Sequence, residues 1–177
     1  RLAEHFGIPF YDKELISMAA DHADMAETAF QHYDEKLPDM HDPLDRHYYN
    51  PFSAVYKVPM SDQIFVAQSS FIRRLAEQGP CVIVGRCADR VLTDSVNLFI
   101  YAKMKERVKR MVSLEPEADP QEMEKRIREV DRKRKDYYQY YTGAQWGRAQ
   151  NYHLCVESGL VGVDGCLRAA LAYLGEN

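Results

Sequence analysis

The 177-residue sequence contains no run of about 18 apolar residues, so it predicts no membrane-spanning helix. It also lacks a signal-peptide pattern. Its four cysteines are dispersed without any C-x-x-C spacing, which gives little support for a disulfide. These are Cys81, Cys87, Cys155 and Cys166. We therefore expect free, buried thiols and a protein of the reducing cytoplasm.

Motifs for nucleophilic and metal-dependent chemistry are missing as well. There is no G-x-S-x-G elbow, and Ser69-Ser70 falls within a predicted helix. A histidine-rich segment with nearby aspartates allows a metal-dependent hydrolase as a weak alternative, but its spacings match no ligand pattern, so we predict no metal site. That segment contains His22, His32, His41, His47, Asp24, Asp42 and Asp45.

Composition and charge indicate one globular domain over residues 1–177, with 46% hydrophobic and 28% charged residues. The net charge of −4 and a pI near 5.9 argue against a partner that is a nucleic-acid polymer. Charge is unevenly placed, since residues 103–135 hold twelve basic and eight acidic residues. That segment could still bind a small anionic ligand.

The most informative stretch is a short apolar run that ends in glycine and arginine. Cys81–Val84 lies between Gly79-Pro80 and Gly85, which predicts a buried strand. Ligands bind at the carboxyl ends of parallel strands, where Arg86 could grip a phosphate through two hydrogen bonds. The alternative is a surface salt bridge. Cys87 could be an activated thiol, although a cysteine packed at a strand end is favoured.

Strands alternate with helices, which predicts an α/β fold with a parallel sheet. The predicted strands are 8–11, 81–84, 96–101 and 152–156. Asp12, after the first of them, either caps the next helix or belongs to a site. Residues 21–78 read as a helical, aromatic-anchored region, and Ser61 opens its clearest helix.

A second arginine site lies late in a helix that Asp119, Pro120 and Glu122 start. Its apolar stripe gives way to Arg132 and Arg134 just before several tyrosines. Guanidinium groups in such a place are typical of a lid over an anionic ligand. The basic face of residues 103–110, by contrast, is expected to be a solvated surface.

Three segments together resemble one family, the cytidylate-kinase-like branch of P-loop nucleoside monophosphate kinases. They are Gly7-Ile8-Pro9-Phe10-Tyr11-Asp12-Lys13-Glu14-Leu15-Ile16, Val82-Ile83-Val84-Gly85-Arg86-Cys87-Ala88, and Asp131-x-x-Arg134-x-x-Tyr137 followed by Gly143, Trp146 and Tyr152-His153-Leu154. Each segment is weakly specific alone, but their order and spacing cover nearly the whole chain.

The resemblance implies a three-layer α/β/α P-loop kinase fold with an acceptor-binding region at 21–78 and a lid at 119–150. It implies transfer of phosphate from ATP, with Mg²⁺, to CMP, dCMP or a related small acceptor. The site residues that it indicates are Arg132 and Arg134 as catalytic groups, and Asp12, Arg86, Cys87, Asp131 and Tyr137 as substrate-binding groups. It does not predict the oligomeric state.

Two departures from the family pattern matter. The residue after the strand-end arginine is typically an aspartate that helps to read cytosine, and here it is Cys87. A thiol cannot replace that carboxylate as an acceptor for the cytosine amino group. The G-x-x-x-x-G-K-[ST] loop is absent from these 177 residues, and the resemblance places it, with a first strand, upstream of Arg1. The alternative function is a kinase-fold protein that binds or regulates without turnover.

Overall fold

The structure, a computed structural model, describes residues 1–12, 14–45, 48–50 and 55–175. Predictions that involve Lys13, Arg46, His47, Pro51 or Phe52 lie outside these residues. The chain divides into two compact units. The first unit comprises Ile8–Thr93 and Tyr140–Thr142, and the second comprises Arg1–Gly7, Asp94–Gln139 and Gly143–Asn177.

Helices and strands alternate along the described residues, as the sequence predicts. The α-helices are α1 (Leu2–Phe6), α2 (Glu14–Ala23), α3 (Glu27–Tyr33), α4 (Met60–Gln78), α5 (Ala88–Val91), α6 (Met104–Leu114), α7 (Pro120–Thr142) and α8 (Ser158–Tyr173). The strands are β1 (Phe10–Tyr11), β2 (Tyr48–Asn50), β3 (Val55–Lys57), β4 (Val82–Ile83), β5 (Leu98–Tyr101) and β6 (Leu154–Glu157).

The α/β class and the parallel pairing of strands are confirmed. The described parallel strands form two separate pairs, however, and not a single four-stranded sheet. In the first unit β1 pairs in parallel with β4, and in the second unit β5 pairs in parallel with β6. A strand with one neighbour keeps an unpaired edge, and its side chains are less covered than in a wide sheet. Accordingly Val84, Ile100 and Tyr101 are between 44% and 50% exposed, although the sequence predicts buried strands.

The region at residues 21–78 is not helical throughout. It holds α3 and α4, but between them β2 and β3 pair as an antiparallel hairpin, with Tyr49 opposite Tyr56. The physical reason is composition, since valine and tyrosine favour strands and the prolines of this stretch oppose a continuous helix. The helical prediction is wrong for this hairpin.

The first unit has a core built on α2, α3 and α4. Residues of α4 at helical spacing face inward, among them Ile64, Ile72 and Leu75. Burying one such side chain stabilises the fold by about 1.5–3 kcal/mol. The buried members of the core are Leu15, Ala19, Ala20, Phe30, Tyr33, Ile64, Phe71, Ile72, Leu75 and Ala88. This core supports the ends of β1 and β4, where the candidate site residues lie.

The second unit contains most of the long helix α7, from Pro120 to Gln139, and this helix begins as predicted. Asp119 is its N-cap, and its carboxylate accepts hydrogen bonds from the backbone N–H groups of Gln121 and Glu122 at 2.9 and 3.0 Å. Met123 and Ile127 are buried. The helix continues without interruption through the charged stretch that the sequence analysis assigned to a lid.

Helix α8 has a break that the sequence did not predict. Gly162 has φ 68° and ψ 179°, a conformation outside the helical region that glycine tolerates. Asp164 lies inside the helix, and its carboxylate pairs with Arg1.

Candidate functional site

The turn after β4 is the most strained backbone in the first unit. Gly85, Arg86 and Cys87 have φ angles of 76°, 50° and 56°, so three successive residues are left-handed. Glycine adopts this region freely, whereas for an L-residue with a side chain each such position costs about 1–2 kcal/mol. Non-glycine residues in this conformation cluster at functional sites, and here the strain falls on the predicted arginine.

Arg86 is buried, with 8% of its surface exposed, and it is held by carboxylates from two other elements. Its Nη2 atom donates to Asp34 Oδ2 at 2.8 Å. Its Nη1 atom lies 3.8 Å from Asp12 Oδ1 and 3.5 Å from the carbonyl oxygen of Val84. Among the described residues the buried Nε has no hydrogen-bond partner. The Arg86 guanidinium is therefore ion-paired, but part of its hydrogen-bonding capacity is unused among the described residues.

The parallel pairing of β1 with β4 places Asp12 close to Arg86. Because Tyr11 is in register with Ile83, the residues that follow β1 and β4 leave the sheet at the same end. The sequence allows Asp12 to be a helix cap or a site residue. Its backbone carbonyl accepts from Leu15 N at 3.2 Å at the start of α2, and its carboxylate faces Arg86. Both roles are compatible with this position.

Sequence reasoning missed Asp34. This residue ends α3, and its second carboxylate oxygen accepts from Gln68 Nε2 of α4 at 3.2 Å. It is 52 residues from Arg86 and lies in a segment without a clear hydrophobic period. A left-handed residue follows it, Glu35 with φ 51°, but this angle cannot be read from the sequence, so no signal in the sequence points to Asp34.

Cys87 is a packed, neutral thiol. It is 4% exposed, and burial, together with the charges of Asp89 and Glu35, raises its pKa to about 12. This burial favours a packed cysteine over an activated thiol with a lowered pKa. Cys87 lines a cavity of about 260 Å³ beside Phe65 and Tyr141, whose rings stack at 4.0 Å. A neutral thiol in an aromatic wall offers no strong acceptor to a polar base edge.

Alkylation should show this low reactivity directly. At pH 8 a thiol with a pKa of about 12 is thiolate in about one part in ten thousand, against about a quarter for an ordinary cysteine. We expect iodoacetamide to modify the part-exposed Cys81 and Cys155 before Cys87, measured by peptide mass spectrometry over time. Denatured protein, in which all four thiols react, is the control. Early labelling of Cys87 in the folded protein would contradict its burial.

The second unit has its own cavity, of about 610 Å³, at the carboxyl end of β5. Arg107 of α6 and Asp131 of α7 meet there in a two-pronged pair, with N–O distances of 2.5 and 2.7 Å. The hydrogen bond to Asp131 raises the pKa of Arg107, so its charge is secure. Arg110 and Arg134 also line the cavity.

Aromatic side chains form another wall of this second-unit cavity. Phe99 contacts Trp146 edge-to-face at 5.4 Å, and both line the cavity. Phe99 also approaches within 3.1 Å of the position that a Cβ at Gly147 would occupy. Gly147 has φ 74°, so this position needs glycine for both space and backbone conformation. Cations beside aromatic rings suit a ligand that joins phosphate groups to a planar ring.

The predicted residues of α7 have different surroundings. Asp131 and Arg134, three residues apart on one helix face, both line the cavity, whereas Arg132 is exposed and is not among the lining residues. Tyr137 is buried at 4% exposure. Arg107 was missed, since it lies in the stretch that was expected to be a solvated face. Its partner Asp131 is 24 residues away, so sequence spacing gave no signal.

The described residues form an α/β protein in which a buried arginine follows a parallel strand. A family model described as the cytidylate kinase-like family matches residues 1–160, and the chain belongs to that family. Its membership indicates a kinase-like function. No curated protein matches the chain.

One solved structure is similar over nearly the whole chain. It is described as the crystal structure of an uncharacterized protein from Eubacterium ventriosum ATCC 27560. The sequences are 30% identical, with 98% of this chain and 87% of that chain covered, and the TM-score is 0.69.

Two further features of the described residues bear on other functions. No helix among them is both long and apolar enough to cross a bilayer. Within the same residues no group of three or more histidine, cysteine, aspartate or glutamate side chains is placed to hold a metal ion. The aspartates of the histidine-rich segment have structural contacts instead, Asp42 accepting from Tyr33 at 2.7 Å.

Proposed function

We propose that the protein transfers a phosphoryl group from ATP to a nucleoside monophosphate, or to a related small phosphate acceptor, in the cytoplasm. The observation that carries this proposal is Arg86, a buried cation at the carboxyl end of a parallel strand, in a strained turn. Arginine is suited to phosphate because its rigid fork donates two parallel hydrogen bonds. In this proposal the acceptor phosphate binds Arg86, and residues 21–78 form the acceptor-binding region of a three-layer P-loop kinase fold.

The donor nucleotide is assigned to the second unit. The residues that line its cavity fit ATP, because Arg107, Arg110 and Arg134 match phosphate charge and the Phe99–Trp146 wall matches a planar base. ATP supplies the transferable phosphoryl group, and Mg²⁺ is bound mainly by nucleotide phosphates in such sites. Phosphoryl transfer needs positioning and charge neutralisation more than covalent chemistry from the protein.

Within this proposal, residues 119–150 are the lid. Asp131 orients Arg107 through their paired hydrogen bonds, so that the guanidinium keeps one geometry. Arg134 and the exposed Arg132 stabilise charge that develops during transfer. Tyr137 is buried and stays a predicted substrate-binding residue.

The acceptor base is the least restricted part of the proposed substrate. A carboxylate at position 87 would accept a hydrogen bond from the amino group of cytosine, whereas the neutral thiol of Cys87 does not. We therefore expect the rates with CMP and UMP to lie within about tenfold of each other. A larger preference for CMP would need a hydrogen bond to the cytosine amino group, and Cys87 does not provide one.

The decisive experiment is a coupled assay of ADP release with the full-length protein, ATP and Mg²⁺, across CMP, dCMP, UMP and AMP. We expect release only when an acceptor is present. Arg107→Ala should raise the KM for ATP, whereas Arg126→Ala, which removes an exposed arginine paired with Glu115, should not. Acceptor binding without turnover would support the alternative, a kinase-fold protein used for binding or regulation.

A further inference from the structure

The two carboxylates around Arg86 differ in how firmly they are attached. Asp34 makes a 2.8 Å hydrogen bond to Nη2 and is 17% exposed, whereas Asp12 stands 3.8 Å from Nη1 and is 41% exposed. A 3.8 Å separation is an ion-pair distance but too long for a hydrogen bond. One partner is therefore fixed and the other is weakly held.

A second contact fixes Asp34 further. Gln68, which is 2% exposed on the core helix α4, donates to its Oδ1 at 3.2 Å, while Oδ2 receives the hydrogen bond from Arg86. Both carboxylate oxygens are thus engaged by groups with little freedom to move. Displacing this carboxylate would leave a buried amide and a buried guanidinium edge without partners, which is costly.

Asp12 can leave its position at much lower cost. Its carboxylate is partly in water, and an exposed ion pair contributes little to stability. It lies against Nη1, the guanidinium atom whose other contact is a 3.5 Å approach to the Val84 carbonyl oxygen. With both carboxylates in place the cluster carries one net negative charge, which disfavours an incoming anion.

We propose that Asp34 is a positioning residue that permanently holds Nη2 of Arg86, and that Asp12 is an exchangeable counter-ion whose place the acceptor phosphate takes at Nη1. The inference rests on the proposed function, since it concerns the same acceptor site. In the ligand-free protein the Asp12 carboxylate stands beside Nη1 of the arginine. When a phosphate binds, the Asp12 carboxylate moves into solvent and Asp34 keeps the guanidinium oriented.

Matched variants separate this arrangement from simple electrostatics. Asp12→Asn and Asp34→Asn each remove one negative charge beside the same arginine, so charge alone predicts tighter anion binding for both. The proposed arrangement predicts opposite signs. For Asp12→Asn we expect the Kd for CMP to fall about two- to fivefold, the size of an exposed ion pair. For Asp34→Asn we expect it to rise at least about tenfold, as when a buried, hydrogen-bonded charge partner is lost.

Binding would be measured by calorimetry on the full-length protein with CMP, and with inorganic phosphate alone, in the absence of ATP. No turnover is needed, so a failure of phosphoryl transfer and a failure of this inference remain distinguishable. Tighter binding in both variants overturns the positioning role of Asp34. Weaker binding in both overturns the counter-ion role of Asp12. A wild-type protein that binds neither probe overturns the phosphate site at Arg86.

A ligand-free measurement tests the positioning role separately. A guanidinium held at Nη2 rotates slowly, so ¹⁵N spectra should resolve the Nη signals of Arg86, assigned by their loss in Arg86→Lys. We expect Asp34→Asn to merge these signals and Asp12→Asn to keep them. Asp34→Glu, which preserves the charge and can reach the same atom, should restore part of the CMP affinity. Thermal unfolding of each variant checks that the fold is retained, and resolved signals in Asp34→Asn contradict the proposal.

Discussion

Arg86→Ala is expected to lower kcat/KM for the acceptor at least about a hundredfold, through a higher acceptor KM rather than loss of fold. The guanidinium lies among Asp12, Asp34 and the end of β4. Removing a buried, charge-assisted contact to a ligand typically costs 2–5 kcal/mol or more, roughly 30-fold to several thousandfold in binding. The remaining carboxylates would then repel a phosphate.

Arg86→Lys is the informative control for this result. Lysine keeps the charge but loses the planar fork, so it cannot hold Asp34 and a phosphate with separate nitrogen atoms. We expect it to recover only a small part of the acceptor affinity. Steady-state kinetics for the acceptor, at saturating ATP, distinguish the KM effect from a kcat effect. Normal turnover in Arg86→Ala would remove Arg86 from the site and with it the proposed function.

The sequence predicts best those features that local chemistry determines. The N-cap of α7 is an example, because an aspartate followed by proline satisfies the free N–H groups of a helix without help from elsewhere. The strand that ends before Arg86 is another, since glycine and proline bound an apolar run. The family resemblance, drawn from such local segments, is confirmed over residues 1–160.

What the sequence does not predict depends on pairs of residues far apart in the chain. Asp34 and Arg86 are hydrogen-bonded although 52 residues separate them in the chain, and Arg107 and Asp131 are hydrogen-bonded although 24 residues separate them. A charged residue at either position looks like any solvated side chain until its partner is known. The strand partners are unpredictable for the same reason, because periodicity identifies β5 but does not say that β6 is its neighbour.

The aspartates of the histidine-rich segment have contacts that composition alone does not reveal. Carboxylates near imidazoles allowed a metal-site hypothesis, yet Asp42 bonds to Tyr33 and to the backbone N–H of Leu44. These contacts lower the pKa of Asp42, with the Tyr33 hydroxyl the largest cause. A carboxylate held in this way stabilises a loop at pH values above its pKa. The same segment contains a residue with a larger structural role, Asp45.

Asp45→Ala is expected to destabilise the protein by about 2–5 kcal/mol. Asp45 is fully buried, and its two carboxylate oxygens accept from the backbone N–H groups of Ser61 and Asp39, both at 2.7 Å. Helix α4 begins after Pro59, which offers no side-chain cap, so Asp45 satisfies a helix N–H that would otherwise be free. Each buried donor left without an acceptor costs about 1–3 kcal/mol.

Asp119→Ala is the matched control, because Asp119 also accepts two backbone N–H groups at a helix start, but in an exposed position. Water can replace an exposed cap, and such a loss typically costs about 1 kcal/mol. Urea unfolding followed by circular dichroism gives the free energy of unfolding for each variant. Equal losses would mean that burial adds nothing to the Asp45 contacts. A larger loss for Asp45→Ala would show that this aspartate anchors the start of α4. Helix α4 carries Gln68, which donates a hydrogen bond to the Asp34 carboxylate beside Arg86.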